Sequence, residues 1–302
     1  MCRKAKEDEV KGGYKLNVLS LFDGMSCGQI ALEKAGIKVD NYYASEIKAH
    51  AIKVTKENYP DTIHIGDATK FNINLLPKID LLIGGSPCQD ISNLKPDSKG
   101  IYDNKSNLFF VYLEILQKIK PKYFLLENVN GKKESLEAIT NWLGVQPINI
   151  NSNSVSYQNR NRMYWTNIPG IGVPEDRKIN FQVFKETDCE ILKEYKVKNT
   201  PSRVAMWGNG TKGKCPNVTY REKLNCLTCK QDRWSNAGLI EFEDFCRYLT
   251  VKECELAQTV PVGYTNCLTR SQAYDVLGDG WTVDVITHIL KNIKELKLIR
   301  SA

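Results

Sequence analysis

Between residues 17 and 143 short apolar runs alternate with amphipathic stretches, and most of the runs stop at a polar residue. Runs at 17–22, 41–44, 81–83 and 123–126 have the length of strands. Between them the helical period predicts helices at 29–35, 48–58, 108–118 and 135–142. Such a β-α-β succession buries its apolar strands on both faces only as an α/β doubly wound, Rossmann-like sheet. The polar residues just past the runs are Asp23, Glu46, Ser86 and Glu127. Open α/β sheets bind ligands beyond the carboxyl ends of their strands, so these four are expected to converge on one crevice.

The second half has a different texture. Residues 155–168 read as extended, a Pro/Gly break follows, and patterned structure returns with predicted helices at 250–258 and 283–298. This divides the chain into a polar leader (1–15), a catalytic and cofactor-binding core (16–169), a small basic inserted region (170–235), and a part returning to the core (236–302). Charge marks the insertion. From 195 to 235 lie nine of the 42 basic and two of the 35 acidic residues, so the other 33 of each sign cancel and this stretch carries the whole net charge of +7. Lys196, Lys198, Arg203, Lys212, Lys214, Arg221 and Lys223 are accompanied by Trp207, Tyr220 and Trp234 among Gly and Asn. Cations, aromatics and flexible backbone suit phosphate contact and base recognition. A solvated lysine-rich loop has the same composition.

No apolar run approaches the roughly 18 residues of a membrane helix, and residues 1–15 carry no secretory pattern, so a cytoplasmic protein with no membrane partner is expected. Ten cysteines at irregular spacing are then read as reduced thiols. Three scattered histidines and one tight pair, Cys226 and Cys229, do not make a ligand set, and no metal is expected.

Two clusters carry chemistry. The first strand runs into Phe22-Asp23-Gly24-Met25-Ser26-Cys27-Gly28, a glycine-containing turn without the G-x-G-x-x-G spacing that cradles a pyrophosphate. Glu46 lies where a carboxylate takes ribose hydroxyls, and Asp67 can accept from an adenine amino group. These are the parts an adenosine without phosphates requires, as in S-adenosylmethionine; a purely structural turn remains the alternative. In the second cluster, Gly84-Gly85-Ser86-Pro87-Cys88-Gln89 puts a cysteine on a stiff turn at the same sheet edge. Glu127-Asn128-Val129 ends a neighbouring strand, and Gln158-x-Arg160-x-Arg162 places two cations on one face by the period of two. Separately, these would be an inert thiol and a structural ion pair.

In this order the pieces resemble the DNA cytosine-5 methyltransferase family. The family's motifs stand here as FDGMSCG, Glu46, GDAT, GGSPCQ, ENV, QNRNR, RYLTVKE and LGDGW, covering roughly 16–296 apart from about 170–222. Within the family, SNLFF and GWTVDVITHIL are similar to the compact catalytic domains of de novo-type enzymes, while the Lys, Asn and Ile bias suggests a microbial or phage source.

The resemblance implies an S-adenosylmethionine-dependent methyltransferase sheet with an inserted target-recognition region. The cofactor would be held by Phe22, Asp23, Gly24, Met25, Ser26, Cys27, Glu46, Ile47, Asp67, Ala68, Pro87, Gly280 and Trp281. It implies that the Cys88 thiolate adds to carbon 6 of a flipped cytosine, that protonated Glu127 bonds ring N3, and that Asn128 fixes that contact. Arg160 and Arg162 would hold the base O2 and favour the thiolate. The implied partner is double-stranded DNA, met by Gln89, Ser92 and the basic segment, with residues 90–107 expected to close over the base. A cognate restriction endonuclease is a further partner the family allows. Where many bacterial relatives have Gly-Asn, this chain has Gly278-Asp279-Gly280-Trp281, which leaves the role of Asp279 open. The alternatives are a tRNA cytosine-5 methyltransferase, a catalytically silent DNA-binding relative, or a small-molecule methyltransferase, which would leave the basic segment without a role.

Overall fold

The computed structural model describes residues 16–86, 108–198, 200–201, 217–231, 237–243 and 245–300, with side chains to 293. Seven strands form one sheet in the order β3-β2-β1-β4-β5-β7-β6. They are β1 (Leu16–Leu21), β2 (Val39–Ser45), β3 (Ile63–His64), β4 (Leu81–Gly85), β5 (Tyr123–Val129), β6 (Ile148–Asn151) and β7 (Asn161–Thr166). The first five are parallel, while β7 runs antiparallel between β5 and β6. Helices α1 (Cys27–Lys34), α2 (Ala49–Asn58), α3 (Leu108–Ile119) and α4 (Lys133–Leu143) connect the strands.

The four strands and four helices expected in the first half are all present. The extended run expected at 155–168 is narrower: a 3-10 turn at Ser152–Ser154 precedes the strand, which covers only Asn161–Thr166.

The apolar strands alternate between two cores. Leu16, Val18, Leu81, Ile83 and Leu125 face one, with α1 and the C-terminal helices. Leu19, Leu21, Leu82, Phe124 and Leu126 face the other, under α3. A sheet covered on both sides this way reads in sequence as continuous rather than alternating hydrophobicity. The strand order reverses between β1 and β4, whose carboxyl ends carry Asp23 and Ser86. That reversal is the usual ligand crevice of open α/β sheets.

Beyond β7 come two short helices, α5 (Phe181–Phe184) and α6 (Cys189–Tyr195), and a small antiparallel sheet ordered β8-β10-β9. Its strands are β8 (Lys196–Lys198), β9 (Ile240–Glu241) and β10 (Phe245–Arg247), so it joins both sides of the basic stretch. The chain then returns through α7 (Val251–Ala257), α8 (Arg270–Asp279) and α9 (Val283–Arg300). The RYLTVKE motif makes this junction. Fully buried Arg247 donates to both oxygens of fully buried Glu253 at 2.8 Å, and Glu253 also accepts from the backbone N–H of Glu186 and of Thr250, whose side chain completes a capping box on α7. Arg247 further reaches the Glu186 carbonyl, which ties the small sheet to the segment before α6.

Gln158 of QNRNR makes a second junction. Buried, it donates to the Ala257 carbonyl and the Gln258 side chain and accepts from the Leu227 N–H. Among the described residues no helix is long and apolar enough to cross a membrane.

Candidate active site

A cavity of about 610 Å³ opens at the carboxyl edge of the sheet, over the reversal between β1 and β4. Its lining brings together most of the described residues singled out from sequence. Phe22, Asp23, Gly24, Cys27, Glu46, Ile47, Asp67, Ala68, Gly280 and Trp281 line it, as do Glu127, Asn128, Arg160 and Arg162. Met25 and Ser26 lie buried beneath the turn. Pro87, Cys88, Gln89, Ser92 and the stretch 90–107 lie outside the described residues, as do Arg203, Lys212 and Lys214.

The turn after β1 visits left-handed backbone at Phe22, Gly24 and Ser26. Such a path turns successive N–H groups toward one side, and Glu46 takes advantage of it from β2. One of its oxygens accepts from the Gly24 N–H at 2.8 Å, the other from the Ile47 and Lys48 N–H groups at 2.7 and 2.8 Å. The carboxylate so fixed keeps lone pairs for a further donor. Asp23 accepts from the Ser26 hydroxyl and from Tyr42 at 2.7 Å. Burial lifts its carboxyl to about 6, outweighing the hydrogen bonds of Ser20, Ser26 and Tyr42. Burial also pushes the Cys27 thiol up to about 12, so this cysteine stays a neutral wall residue. Asp67 accepts from the backbone and hydroxyl of Thr69, which with Lys70 hold it below the usual carboxylate range.

The other half of the cavity carries Glu127. On antiparallel β5 and β7, Glu127 stands opposite Tyr164 and Val129 opposite Arg162, so Arg162 is the diagonal neighbour of Glu127 on one face. Its Nε lies 3.0 Å from one Glu127 oxygen, and the Trp281 Nε1 donates to the other at 3.0 Å. Burial works against the charge of Arg162, but Glu127 and Cys226 hold it above its ordinary range. Asn128 donates to the Ser86 carbonyl and hydroxyl at 2.9 and 3.0 Å, which pins Ser86 just past β4.

Arg160 is 6% exposed and turns toward backbone rather than toward Glu127. Its guanidinium donates to the carbonyls of Gly278 and Leu227 at 3.1 and 3.2 Å and to the Cys226 sulfur at 3.3 Å.

Sequence reading missed the far rim of the cavity. Lys48 pairs with Asp279 at 2.6 Å and Asp275 at 3.0 Å, His50 meets Asp275 at 2.6 Å, and the Cys229 thiol donates to Asp279 at 2.8 Å. This gives Asp279 a place: with Lys48 it straps α8 to the start of α2. Cys229, Asp275 and Asp279 are close enough to share an ion, but the Lys48 ammonium already occupies both carboxylates. No motif signals Lys48, because its partners lie more than 200 residues away.

The described cations of the basic stretch 195–235 do not line the cavity. Lys196 lies 4.2 Å over the Phe245 ring, and Lys198 shares its strand. Arg221 is exposed beside Tyr220. Lys223 turns inward, donating to the carbonyls of Asn153 and Ser156, and its burial lowers the ammonium from its ordinary range.

A seven-stranded, mostly parallel sheet with antiparallel β7 inserted between β5 and β6, and a cavity over its order reversal, has the Rossmann-like fold of solved methyltransferases. The chain matches solved members of that class along nearly its whole length. An Entamoeba histolytica methyltransferase, EhMeth, superposes with a TM-score of 0.71 at 15% identity, covering 94% of this chain and 99% of that one. The Dnmt2 methyltransferase of S. pombe gives 0.72 at 20% identity, covering 93% and 99%. The family model for C-5 cytosine-specific DNA methylase matches residues 16–178 and 143–295, and the chain belongs to that family. It is 35% identical over 176 residues to the orphan methyltransferase M.Rho11sI of Bacillus phage rho11s, and 33% identical over 175 residues to the type II methyltransferase M.NgoBV of Neisseria gonorrhoeae. These matches take in 54% and 50% of this chain, and span only 34% and 41% of those proteins.

Proposed function

We propose that the protein transfers the methyl group of S-adenosylmethionine to carbon 5 of a cytosine flipped out of double-stranded DNA, through a transient bond between Cys88 and carbon 6. The observation that carries this reading is the Glu127 carboxyl, clamped by Arg162 and Trp281 in the same cavity as the Glu46-bound turn. A family of cytosine methylases is the context, and an acid beside a nucleoside pocket is what that chemistry needs.

The residues present fit the cofactor. Glu46 and Asp67 are fixed acceptors for ribose hydroxyls and an adenine amino group, with Phe22 and Ile47 as apolar walls of the same cavity. When bound, the cofactor supplies an electrophilic methyl on sulfur. The chain supplies the rest. The Cys88 sulfur bonds to carbon 6 and pushes electron density onto carbon 5, while a proton carried by Glu127 bonds N3 and offsets the charge that develops. Carbon 5 takes the methyl, a base removes its proton, and the Cys88 sulfur leaves. Asn128 holds Ser86, two residues before Cys88 in the chain, against β5.

In this reading the stretch 170–235 contacts the DNA, with Arg221, Lys196 and Lys198 among its described cations, and the work is done in the cytoplasm. A cognate restriction endonuclease is then a natural companion. Bisulfite sequencing of DNA from cells expressing the protein is the test. Sequence-specific protection of cytosine that disappears with Cys88→Ala is expected. Methyl transfer to tRNA but not to duplex DNA would replace this reading with the RNA one. Normal transfer by Cys88→Ala would overturn the covalent route.

A further inference from the structure

Glu127 is held from two directions, and only one of the holders belongs to the sheet. Arg162 reaches one oxygen from β7, the next strand. Trp281 reaches the other from the link between α8 and α9, 154 residues further along the chain. The indole passes directly over Gly85. A methyl group at residue 85 would stand 2.9 Å from the Trp281 Nε1 and 2.8 Å from the Glu127 oxygen, so the bare α-carbon is what admits the contact.

The other end of Trp281 belongs to the turn after β1. Its backbone N–H works against burial on the Cys27 thiol, lowering it. The preceding Gly280 is packed so closely that an added methyl would lie 2.8 Å from the end of Met25 and 3.4 Å from the Cys27 sulfur. The Tyr264 hydroxyl, donating to the Met25 carbonyl at 2.7 Å, ties the same turn to the C-terminal part. The Gly280-Trp281 link therefore packs on the nucleoside turn through Gly280 and holds the acid through Trp281.

We infer that Trp281 is a positioning residue that sets the Glu127 carboxyl for its proton-carrying role and locks that setting to the nucleoside turn. Each carboxyl oxygen has two lone pairs. Arg162 takes one on the first oxygen and Trp281 one on the second, which leaves a defined pair of directions for the proton and the incoming base. With the indole N–H gone, the carboxyl keeps a single donor and its terminal torsion, broad in any glutamate, is released. Misplacing a reacting group by about 1 Å lowers a rate by on the order of a hundredfold.

This inference rests on the methyl-transfer reading, and the experiment separates the two. Trp281→Phe keeps the ring and loses the N–H; Trp281→His returns a ring N–H. Binding of S-adenosylhomocysteine by calorimetry and single-turnover methyl transfer to duplex DNA are measured for each and for the wild type. Because Trp281 also lines the cofactor cavity, transfer is measured at saturating S-adenosylmethionine: Trp281→Phe is expected to slow it by about 10- to 100-fold, well beyond any loss of S-adenosylhomocysteine affinity, and the remaining binding reports a folded pocket. Trp281→His should recover part of that loss. Wild-type transfer by Trp281→Phe, an affinity that falls in step with the rate, or a histidine variant no faster than the phenylalanine one overturns the inference. A wild type that methylates no DNA overturns the reading beneath it instead.

Discussion

Arg162 on β7 lies 3.0 Å from Glu127 on β5, diagonally across an antiparallel pair, and both side chains are largely enclosed. The register of two strands thus creates the pair. An arginine Nε–H is directional, whereas an ammonium on a flexible stem is a point charge. Arg162→Lys is therefore expected to keep the charge and lose the alignment. Single-turnover transfer should fall by roughly 100-fold, the scale set by removing one oriented donor from a reacting charge. DNA affinity, measured by filter binding, should change little. A lysine variant with wild-type turnover would show that charge alone suffices.

Gly278 gives a sharper steric prediction. A methyl group there would lie 2.2 Å from the backbone of Thr228 and Cys229, atoms that cannot swing aside as a side-chain tip can. The same residue's carbonyl anchors Arg160. Gly278→Ala should lower stability by about 1–3 kcal/mol, as overpacking does, and should loosen the cavity rim as well. Thermal unfolding and S-adenosylhomocysteine affinity both report it. An unchanged melting temperature would mean that the 226–229 segment gives way easily.

The Arg247–Glu253 pair is the third target. Both side chains have no exposed surface, and Glu253 accepts from three residues: Arg247, the Glu186 N–H and the Thr250 N–H of the capping box. Breaking a buried pair strands the remaining charge, at about 3–5 kcal/mol. Arg247→Met should destabilise by that order in urea unfolding, and more than the double change Arg247→Met with Glu253→Leu, which strands no charge although it leaves the Glu186 and Thr250 N–H groups without their acceptor. Equal losses would argue that packing rather than charge holds the junction.

How much of this was legible beforehand follows the range of each interaction. The β-α-β alternation and the polar residues at strand ends are local patterns, and Asp23, Glu46, Ser86 and Glu127 do meet at one crevice. The pairing of Arg162 with Glu127 needs the antiparallel insertion of β7 between β5 and β6, which no local period encodes. Arg160 and Arg162 share a period of two, yet only Arg162 reaches Glu127, because Arg160 precedes the strand and is captured by the carbonyls of Leu227 and Gly278. Lys223 looked like its basic neighbours in composition, but two backbone carbonyls hold it inward. The Lys48 strap, with partners at 275 and 279, was invisible for the same reason of distance along the chain.

Asp23 is half-buried and its carboxyl rises from 3.8 to about 6 on folding, chiefly through burial, with Glu46 adding repulsion against the hydrogen bonds of Ser20, Ser26 and Tyr42. A raised value means that the folded state binds the proton more tightly than the unfolded chain. The stability this group contributes is therefore fully present below about 4 and is lost as pH rises through about 6. Asp23→Asn keeps an acceptor for Tyr42 and cannot ionise. Between pH 4 and 7 the wild type should lose stability relative to this variant. The difference should be on the order of 1–2 kcal/mol, below the roughly 3 kcal/mol that such a rise corresponds to, because solvent screens a half-buried group. Chemical denaturation of both proteins across that range measures it, and parallel stability curves would show that the turn after β1 holds the carboxyl in its charged form throughout.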